Sequence, residues 1–451
     1  MDEDGDKRAR AKGSGEVDWI SNLPDCLLCQ VLSNLPTKDV VKTSVLSTRW
    51  INLWKYVPVL DLGNGDFPEY NTFVGFVDGF LDFNSESSLQ KFKLKDDCDG
   101  HNEPEVNLIS RWINTVVTRK VKHIDVLDDS SGSWDFQMPT TLYTCESLVS
   151  LKLCGLTLPS PKFVSLPSLK VMDLIIAKFA DELALETLIS LCPVLERLTI
   201  ERCFCDDIQV LRVLSQSLLS FTHVADSSQD LDEDLVVAID APRLEYLMLS
   251  DHRVASFILN NPASLVKADI DTVFNLIFDK MFDPNDQQKR NMIRNFLVGI
   301  SGVKDMAIAS STLEVIYDYS RCAPLPLFRK LSFLRVELAG YKWEMLPIFL
   351  QSCPNLKSLV VGYTRYQEKE GNYILPEPQC FLSSLEYVKI ERPFKGEAME
   401  MKLLSYLLEN STILKKLTLC LDDSRKNEES VILKKLLTIP RISGSCQVVV
   451  L

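Results

Sequence analysis

The chain has 451 residues and carries 49 Lys plus Arg against 62 Asp plus Glu, a formal charge of −13 at pH 7. This acidic balance argues against a nucleic-acid binder, because neutralising phosphates requires basic side chains, and no apolar run approaches the roughly 20 residues that span a bilayer. With 46 % hydrophobic and 25 % charged residues, the composition is that of a globular protein able to bury a sizeable core.

Residues 1–17 are small, polar or charged and show no apolar period, so we expect a disordered arm. The arm contains no apolar stretch of the kind that marks a secretory signal. The 13 cysteines of the chain lie at irregular spacings. We therefore expect reduced thiols and a cytoplasmic location, a nuclear location, or both.

Residues 19–62, called the N-terminal segment below, predict three short helices. Pro24 suits a first helical position, and Leu and Val then recur at helical spacing until Pro36 ends the first helix. Thr37 and Ser47 are candidate N-caps of the second and third helices. Because three short helices cannot bury all of these apolar side chains internally, we expect some of them to contact another protein.

The rest of the chain repeats the unit apolar-x-x-apolar-x-apolar, as in Leu195-Glu-Arg-Leu198-Thr-Ile200. The alternating end of each unit predicts a short strand with one buried side. Most successive units begin 20–29 residues apart, which is the period of leucine-rich repeats, and longer gaps indicate insertions. The units begin at Leu89, Val121, Leu148, Leu169, Leu195, Leu218, Leu244, Leu265, Val303, Leu331, Leu356, Leu385 and Leu414.

Helical patterns lie between several of these predicted strands. Apolar residues recur at helical spacing from Phe73 to Leu81, from Ile109 to Val117 and from Ile293 to Ile300. One strand and one helix per unit, stacked in order, predict an α/β solenoid with a curved parallel sheet on its inner side. The alternative is an ordinary α/β domain whose strands happen to look alike. The sequence does not settle whether Leu265 to Leu331 forms regular repeats.

The N-terminal segment resembles an F-box, specifically the plant type. It departs from the usual pattern at Thr48 and Ile51, where basic residues are common. The resemblance is carried by Leu23-Pro24, Leu27-Leu28, Val31-Leu32, Leu35-Pro36-Thr37-Lys38-Asp39, Thr43-Ser44-Val45-Leu46-Ser47, Arg49-Trp50 and Leu53-Trp54.

Residues 376–451 resemble the FBD module that follows leucine-rich repeats in many plant F-box proteins. The resemblance rests on Cys380, Phe394-Lys395-Gly396, Leu414-Lys415-Lys416-Leu417 and Pro440-Arg441-Ile442-Ser443, among others. The organisation that follows is an arm (1–17), a three-helix F-box (19–62), leucine-rich repeats (63–375) and an FBD module that continues the repeat array (376–451).

Members of this family act as substrate-recognition subunits of SCF (Skp-cullin-F-box) ubiquitin ligases. The resemblance implies a non-catalytic receptor that binds a Skp-type adaptor, through it a cullin, and a substrate protein. The acidic charge and the lack of a long apolar run predict no nucleic-acid partner and no membrane partner. Two alternatives stay open: an interaction scaffold that does not direct degradation, and a co-receptor gated by a small molecule. The sequence does not identify the substrate.

For adaptor binding we select the apolar residues that match the F-box pattern, since burying each is worth about 1.5–3 kcal/mol. Trp50 and Trp54 belong either to the core of the segment or to its join with the first repeat. The predicted adaptor-binding residues are Leu23, Pro24, Leu27, Leu28, Val31, Leu32 and Val40.

For substrate binding we select strand positions that alternate with the buried ones and so face the inner side of the solenoid. Acidic residues outnumber basic ones in this set, which predicts a basic or mixed-charge partner segment. The predicted substrate-binding residues are Asp173, Glu201, Met248, Asp269, Asp271, Arg335, Glu337, Lys389 and Glu391.

No motif predicts a catalytic, metal or cofactor site. Cys26 and Cys29 have CxxC spacing, but no second pair follows at metal spacing, so packing within a helix is the preferred interpretation. The four His residues show no motif spacing to one another. The acidic run at 226–234 predicts a solvated loop rather than a cation site.

Overall fold

The computed structural model describes residues 19–20, 22–83, 88–96, 106–128, 137–203, 209–225, 235–276, 282–339, 345–364, 382–422 and 429–451. The predicted arm at 1–17 and the acidic run at 226–234 lie outside these ranges. Part of the FBD resemblance, including Cys380, also lies outside them.

The N-terminal segment contains two α-helices, α1 (Asp25–Leu32) and α2 (Thr37–Lys42). Single turns of 3₁₀ helix follow at Thr43–Val45 and Leu53–Tyr56. Two of the predicted caps are therefore corrected. Pro36, not Thr37, caps α2, and the third helix capped by Ser47 is replaced by turns that lead into the second 3₁₀ helix.

Each of the thirteen predicted unit starts is followed by a strand. The second and third pattern positions of each unit lie in that strand and point into the core, because they are two positions apart. The described strands, numbered in chain order, are β1 (Val59–Gly63), β2 (Lys91–Asp96), β3 (His123–Asp128), β4 (Ser150–Cys154), β5 (Thr157–Leu158), β6 (Val171–Ile175), β7 (Lys178–Phe179), β8 (Arg197–Glu201), β9 (Val210–Leu214), β10 (Ser220–Val224), β11 (Val236–Asp240), β12 (Tyr246–Ser250), β13 (Ser256–Asn260), β14 (Lys267–Asp271), β15 (Asp305–Ile308), β16 (Phe333–Ala339), β17 (Ser358–Thr364), β18 (Tyr387–Phe394), β19 (Lys416–Leu421) and β20 (Gln447–Val450).

Fifteen of these strands form one parallel sheet in the order β1-β2-β3-β4-β6-β8-β10-β12-β14-β15-β16-β17-β18-β19-β20. The repeat array predicted from the sequence is thus confirmed, and the stretch from Leu265 to Leu331 continues it through β14, β15 and β16. Strands β1 and β20 extend the sheet beyond the predicted units. Two small parallel sheets, β13-β11-β9 and β5-β7, lie in the connections.

The remaining α-helices of the described ranges are α3 (Tyr70–Asp82), α4 (Val106–Thr118), α5 (Glu182–Ser190), α6 (Gln287–Ile300), α7 (Ser310–Ser320), α8 (Met345–Gln351), α9 (Ala398–Asn410) and α10 (Glu429–Leu437). The three helices predicted from periodicity correspond to α3, α4 and α6. Their apolar faces join one continuous core with the inward side chains of the sheet, such as Phe73 and Trp112 with Phe92 and Ile124. One face of the sheet is thereby covered, and the outward residues of the strands form the other face, called the open face below.

Strand β1 joins the N-terminal segment to this core. Val59 packs into the separate hydrophobic cluster of the N-terminal segment, whereas Leu60 and Leu62 pack into the core of the repeats. Successive side chains of one strand point to opposite sides, so a single strand belongs to both cores and fixes them relative to each other.

Candidate functional site

Helix α1 carries two apolar stripes that differ in exposure. Leu28 and Leu32 are 1 % and 3 % exposed, whereas Leu27 and Val31 are 43 % and 58 % exposed. Residues four apart lie on the same side of a helix, so the first pair faces the interior of the segment and the second pair faces solvent.

Three of the seven predicted adaptor-binding residues are corrected by this geometry. Leu28, Leu32 and Val40 are buried in the hydrophobic cluster of the N-terminal segment, together with Trp50 and others. A side chain that is at most 3 % exposed cannot contact a partner in this conformation. Of the other four, Pro24, Leu27 and Val31 are exposed and Leu23 is half-buried.

Seven further large apolar side chains of the N-terminal segment face solvent although they were not selected from the sequence: Trp19, Ile20, Leu35, Val45, Leu46, Ile51 and Tyr56. Val45 is 88 % exposed because α2 ends at Lys42 and the following 3₁₀ turn points it outward. We use the name outer apolar surface for Leu27, Val31, Leu35, Val45, Leu46 and Ile51, all of which are exposed. Such unpaired apolar surface is typical of a protein–protein contact.

The join between the N-terminal segment and the repeats is tight. Trp54 stacks on Phe76 and Phe80 of α3, with ring centroids 5.6 and 6.4 Å apart. The hydroxyl of Thr37 accepts a hydrogen bond from the backbone N–H of Asp61 on β1, at 2.8 Å. Trp54 therefore belongs to the join, whereas Trp50 belongs to the core of the segment. Thr37 thus covers part of the outer edge of β1.

An ion pair adds to the join. Lys38 of α2 donates to Asp66, which follows β1, at 2.9 Å. Burial opposes ionisation of Asp66, but the hydrogen bond and charge of Lys38 outweigh it and lower the pKa of this carboxyl. The pair is partly exposed, so its contribution to stability is small.

All nine predicted substrate-binding residues lie on the open face. They alternate along their strands with core residues, and each is exposed or half-buried. The register divides them into three groups. Asp173 and Glu201 lie on β6 and β8, Met248, Asp269 and Asp271 on β12 and β14, and Arg335, Glu337, Lys389 and Glu391 on β16 and β18.

The middle group centres on an aromatic side chain that the sequence did not single out. The hydroxyl of Tyr246 donates to Asp269 at 2.6 Å, and the ammonium of Lys267 lies 5.3 Å from the Tyr246 ring and 3.8 Å from Asp269. Burial raises the pKa of Asp305 on the neighbouring strand, and the charge of Asp269 raises it further. Carboxylates therefore crowd this part of the open face.

Asp271 is held by a polar cluster at the end of β14. His252 contacts it through Nε2 at 2.8 Å, and the Ser311 hydroxyl donates to it at 2.7 Å. The hydrogen bond to Asp271 raises the pKa of His252 despite partial burial. Burial opposes ionisation of Asp271, but the bonds from His252 and Ser311 prevail and lower its pKa.

The third group forms a connected ion-pair network. Arg335 contacts Glu391 at 2.7 Å across the intervening strand β17, and it lies 3.9 Å from Glu337 on its own strand. Lys389 contacts Glu391 at 3.3 Å. The structure thus brings together four predicted residues that are up to 56 positions apart in sequence.

One buried polar pair lies beneath the open face. His223 occupies a core position of β10, where the neighbouring strands carry Ile200 and Leu249, and its Nε2 contacts the fully buried carboxylate of Asp251 at 2.9 Å. Burial disfavours the Asp251 charge, but His223 and Arg253 compensate and lower its pKa. The alternation of buried and half-buried residues along β10 predicts from the sequence that His223 points inward.

The CxxC pair does not form a joint site. Cys29 is buried with its Sγ 3.9 Å from the carbonyl of Leu53, whereas Cys26 is exposed. Within the described ranges, no group of three or more His, Cys, Asp or Glu side chains is arranged to hold a metal ion. Likewise, none of the helices described combines the length and apolar composition that a bilayer span requires.

Three protein-family models match the chain. An F-box domain model matches residues 20–62. A model of the leucine-rich repeats of an FBD-associated F-box protein matches residues 109–266. An FBD model matches residues 376–419.

Curated proteins of Arabidopsis thaliana resemble the chain over its full length. It is 75 % identical to "F-box/LRR-repeat protein 13" and 71 % identical to "F-box/FBD/LRR-repeat protein At1g78750", with 100 % of both chains covered in each case. It is 58 % identical to "FBD-associated F-box protein At4g13985", again over 100 % of both chains.

Proposed function

The chain belongs to the plant family of F-box proteins with leucine-rich repeats and an FBD module, and on this premise we propose that it is a substrate receptor of an SCF-type ubiquitin ligase. In this proposal the F-box binds a Skp-type adaptor, the adaptor binds a cullin, and the open face of the sheet binds the protein to be ubiquitinated. The receptor itself performs no bond chemistry.

The outer apolar surface is the observation that carries this proposal. The F-box keeps a hydrophobic cluster of its own and still leaves all six side chains of the outer apolar surface exposed. Leaving such side chains in water is costly unless a partner covers them, because burial of each is worth about 1.5–3 kcal/mol.

The tight join between the F-box and the repeats supports a role in ubiquitin transfer. Trp54 and β1 fix the F-box to the repeats, so a substrate on the open face is held at a constant position relative to the adaptor. Holding two partners in one complex raises their effective concentration without any new contact between them. A rigid receptor of this kind favours ubiquitin transfer by proximity.

Adaptor binding tests the proposal directly. We expect Leu27→Asp combined with Val31→Asp to weaken binding of a purified Skp-type adaptor at least about 100-fold, because two buried apolar contacts are replaced by charges. The chain is co-expressed with the adaptor, separated from it and purified again. Isothermal titration calorimetry of the adaptor into this chain then measures the affinity. The fold should persist, since both side chains face solvent.

A matched control uses apolar residues of similar exposure outside the F-box. Leu183→Asp combined with Val298→Asp places the same charges on α5 and α6, where the side chains are 66 % and 51 % exposed. This variant should bind the adaptor like the unaltered chain. Equal adaptor affinity of the two double variants would refute the docking assignment.

Reconstitution distinguishes the proposal from its two alternatives. A receptor should co-purify with adaptor and cullin and promote polyubiquitin on a bound protein, whereas a scaffold should bind without ubiquitin transfer. A gated co-receptor should bind its substrate only after a small molecule is added.

The ten described cysteines are free thiols, which supports the proposed action in the cytoplasm or the nucleus.

A further inference from the structure

The two ends of the large parallel sheet differ in how they are covered. At the first strand, β1, the F-box packs against the outer edge, and the hydroxyl of Thr37 accepts a hydrogen bond from the backbone of Asp61. At the last strand, β20, no described strand pairs with the outer side. Within the described ranges, the F-box therefore caps one end of the array, and the other end is uncapped.

The backbone of β20 has hydrogen-bonding groups that face this uncapped end. The N–H groups of Gln447 and Leu451 donate to carbonyl groups on the side of β19, at 2.9 and 2.8 Å. Successive residues of a strand direct their N–H and C=O groups to opposite edges. Val448 and Val450 therefore direct these groups to the free side, where a further strand could pair with them.

The hydrophobic core is also incomplete at this end. Val448 and Val450 point into the core but are only half-buried, whereas their partners on β19, Leu417 and Leu419, are 0 % exposed. In the interior of a repeat array the next repeat covers such side chains. Here part of the core faces solvent.

Helix α10 adds an apolar flank to the same end. Lys435 lines the cleft between α9 and α10, so its side of α10 faces the preceding repeat. Leu433 and Leu437 lie two positions before and after Lys435, about 160° away around the helix, and so face the uncapped end. Leu433 is half-buried, and Leu437 is 73 % exposed. We use the name end surface for the free edge of β20 together with Leu433, Leu437, Val448 and Val450.

The composition of β20 favours pairing with an identical strand. Its sequence, Gln-Val-Val-Val, has neither the charged residues nor the proline that usually prevent edge strands from associating. Antiparallel pairing centred on Val449 places Val449 opposite its own copy and Val448 opposite Val450. No like charges then meet across the axis, and the free N–H and C=O groups of Val448 and Val450 pair with each other.

The capped end restricts how two copies can meet. A head-to-tail contact of β20 with β1 of another copy would continue into a filament, but the F-box covers the edge of β1. The two sheets can therefore join only through β20. A two-fold axis perpendicular to the sheet leaves both open faces on the same side. It also brings the two α10 helices together, so that Leu433 and Leu437 are covered as well.

We propose that the end surface is the interface of a symmetric dimer, in which β20 of one copy pairs antiparallel with β20 of a second copy. The dimer places the two F-boxes at opposite ends of one continuous sheet. This inference does not rest on the proposed function, because the end surface and the outer apolar surface belong to opposite ends of the array.

Sedimentation equilibrium of the full chain, alone and saturated with adaptor, tests the dimer. We expect a dissociation constant on the order of 10 µM, because an interface of one strand and one helix per copy is smaller than a standard one. Val449→Lys should weaken self-association at least about tenfold, since two like charges then lie directly opposite each other. Val449 pairs with Thr418 on the open face, so this variant should keep its fold.

A helix variant checks the second part of the interface. Leu437→Lys should weaken self-association at least about fivefold, because burial of this leucine in the dimer is lost. Leu183→Lys is the matched control, since that side chain is 66 % exposed and lies on α5, in the middle of the array. It should leave self-association unchanged. Thermal unfolding of each variant separates loss of the interface from loss of the fold.

Disulfide cross-linking tests the register of the two strands. In a non-hydrogen-bonded antiparallel pair the Cα atoms are about 4.5 Å apart, a distance that a disulfide can bridge. Val449→Cys should therefore give a covalent dimer under mild oxidation. Thr418→Cys faces the same side from β19 but would lie about 14 Å from its copy, three strand spacings away. It should cross-link no more than the unaltered chain.

Three outcomes would overturn the assignment. They are a chain that stays monomeric at about 100 µM, self-association unchanged by both Val449→Lys and Leu437→Lys, and equal cross-linking of the two cysteine variants. The adaptor titration separates this inference from the proposed function. A monomer that binds the adaptor would refute only the dimer, and a dimer without adaptor affinity would refute only the receptor role.

Discussion

Individual side chains of this F-box protein differ in role according to which side of an element they occupy. On α1, Leu28 is buried and Leu27, its neighbour in sequence, is exposed. Both pairs of apolar residues on this helix recur with the same four-residue spacing, so periodicity reveals two stripes but not which one faces the core. Only the packing against Trp50 and Leu53 decides between them.

The His252–Asp271 pair predicts a pH dependence at the residue scale. The raised pKa of His252 means that its stabilisation is present below pH 6.5 and is lost as pH rises through the folded pKa. The lowered pKa of Asp271 means that its stabilisation is present above pH 3.8 and is lost as pH falls through the folded pKa. Their joint contribution is therefore largest between these two values.

His252→Gln should lower the unfolding midpoint more at about pH 5.5 than at about pH 8.5. The loss in free energy of unfolding should differ by less than about 1 kcal/mol between the two pH values, because both side chains are partly exposed. Thermal unfolding followed by circular dichroism at the two pH values measures it. An equal loss at both values would show that the pair does not act as an ion pair.

At the scale of elements, the join between F-box and repeats was only partly predictable. The sequence left Trp54 with two possible environments, and the stacking on Phe76 and Phe80 assigns it to the join. Thr37 looked like a helix cap because Thr is common at that position. Its actual partner, the backbone of Asp61, is 24 residues away, and local patterns contain no information about such a contact.

Trp54→Ala tests how much this join contributes to the free energy of unfolding. Removing a large aromatic side chain that stacks on two others should destabilise the chain by about 3 kcal/mol. Urea unfolding followed by far-ultraviolet circular dichroism measures the loss. Trp19→Ala is the matched control, because that side chain is 77 % exposed; its effect should stay within about 0.5 kcal/mol. Equal effects of the two variants would contradict the assignment of Trp54 to the join.

At the scale of the whole molecule, the leucine period predicted the array well because each unit buries the same positions. All thirteen unit starts precede strands of one sheet. Strand β20 escaped prediction because Ser445 stands where the leucine pattern would begin. Strand β1 does follow the pattern, as Val57-Pro-Val-Leu60-Asp-Leu62, but these residues belong to the segment that resembles an F-box. The side sheet β13-β11-β9 also escaped prediction, because its short alternating strands lie where a repeat usually has a helix. The ion pair of Arg335 with Glu391 depends on the register of three strands and so requires the structure.

In the proposed complex the outer apolar surface of the F-box contacts the adaptor, and the open face of the sheet remains accessible to the substrate. Hydrogen–deuterium exchange of the full chain, with and without a saturating Skp-type adaptor, tests it most directly. We predict slowed exchange of backbone amides between residues 25 and 51 and unchanged exchange in strands β6 to β18. Protection of those strands by the adaptor, or no protection within the F-box, would contradict the account.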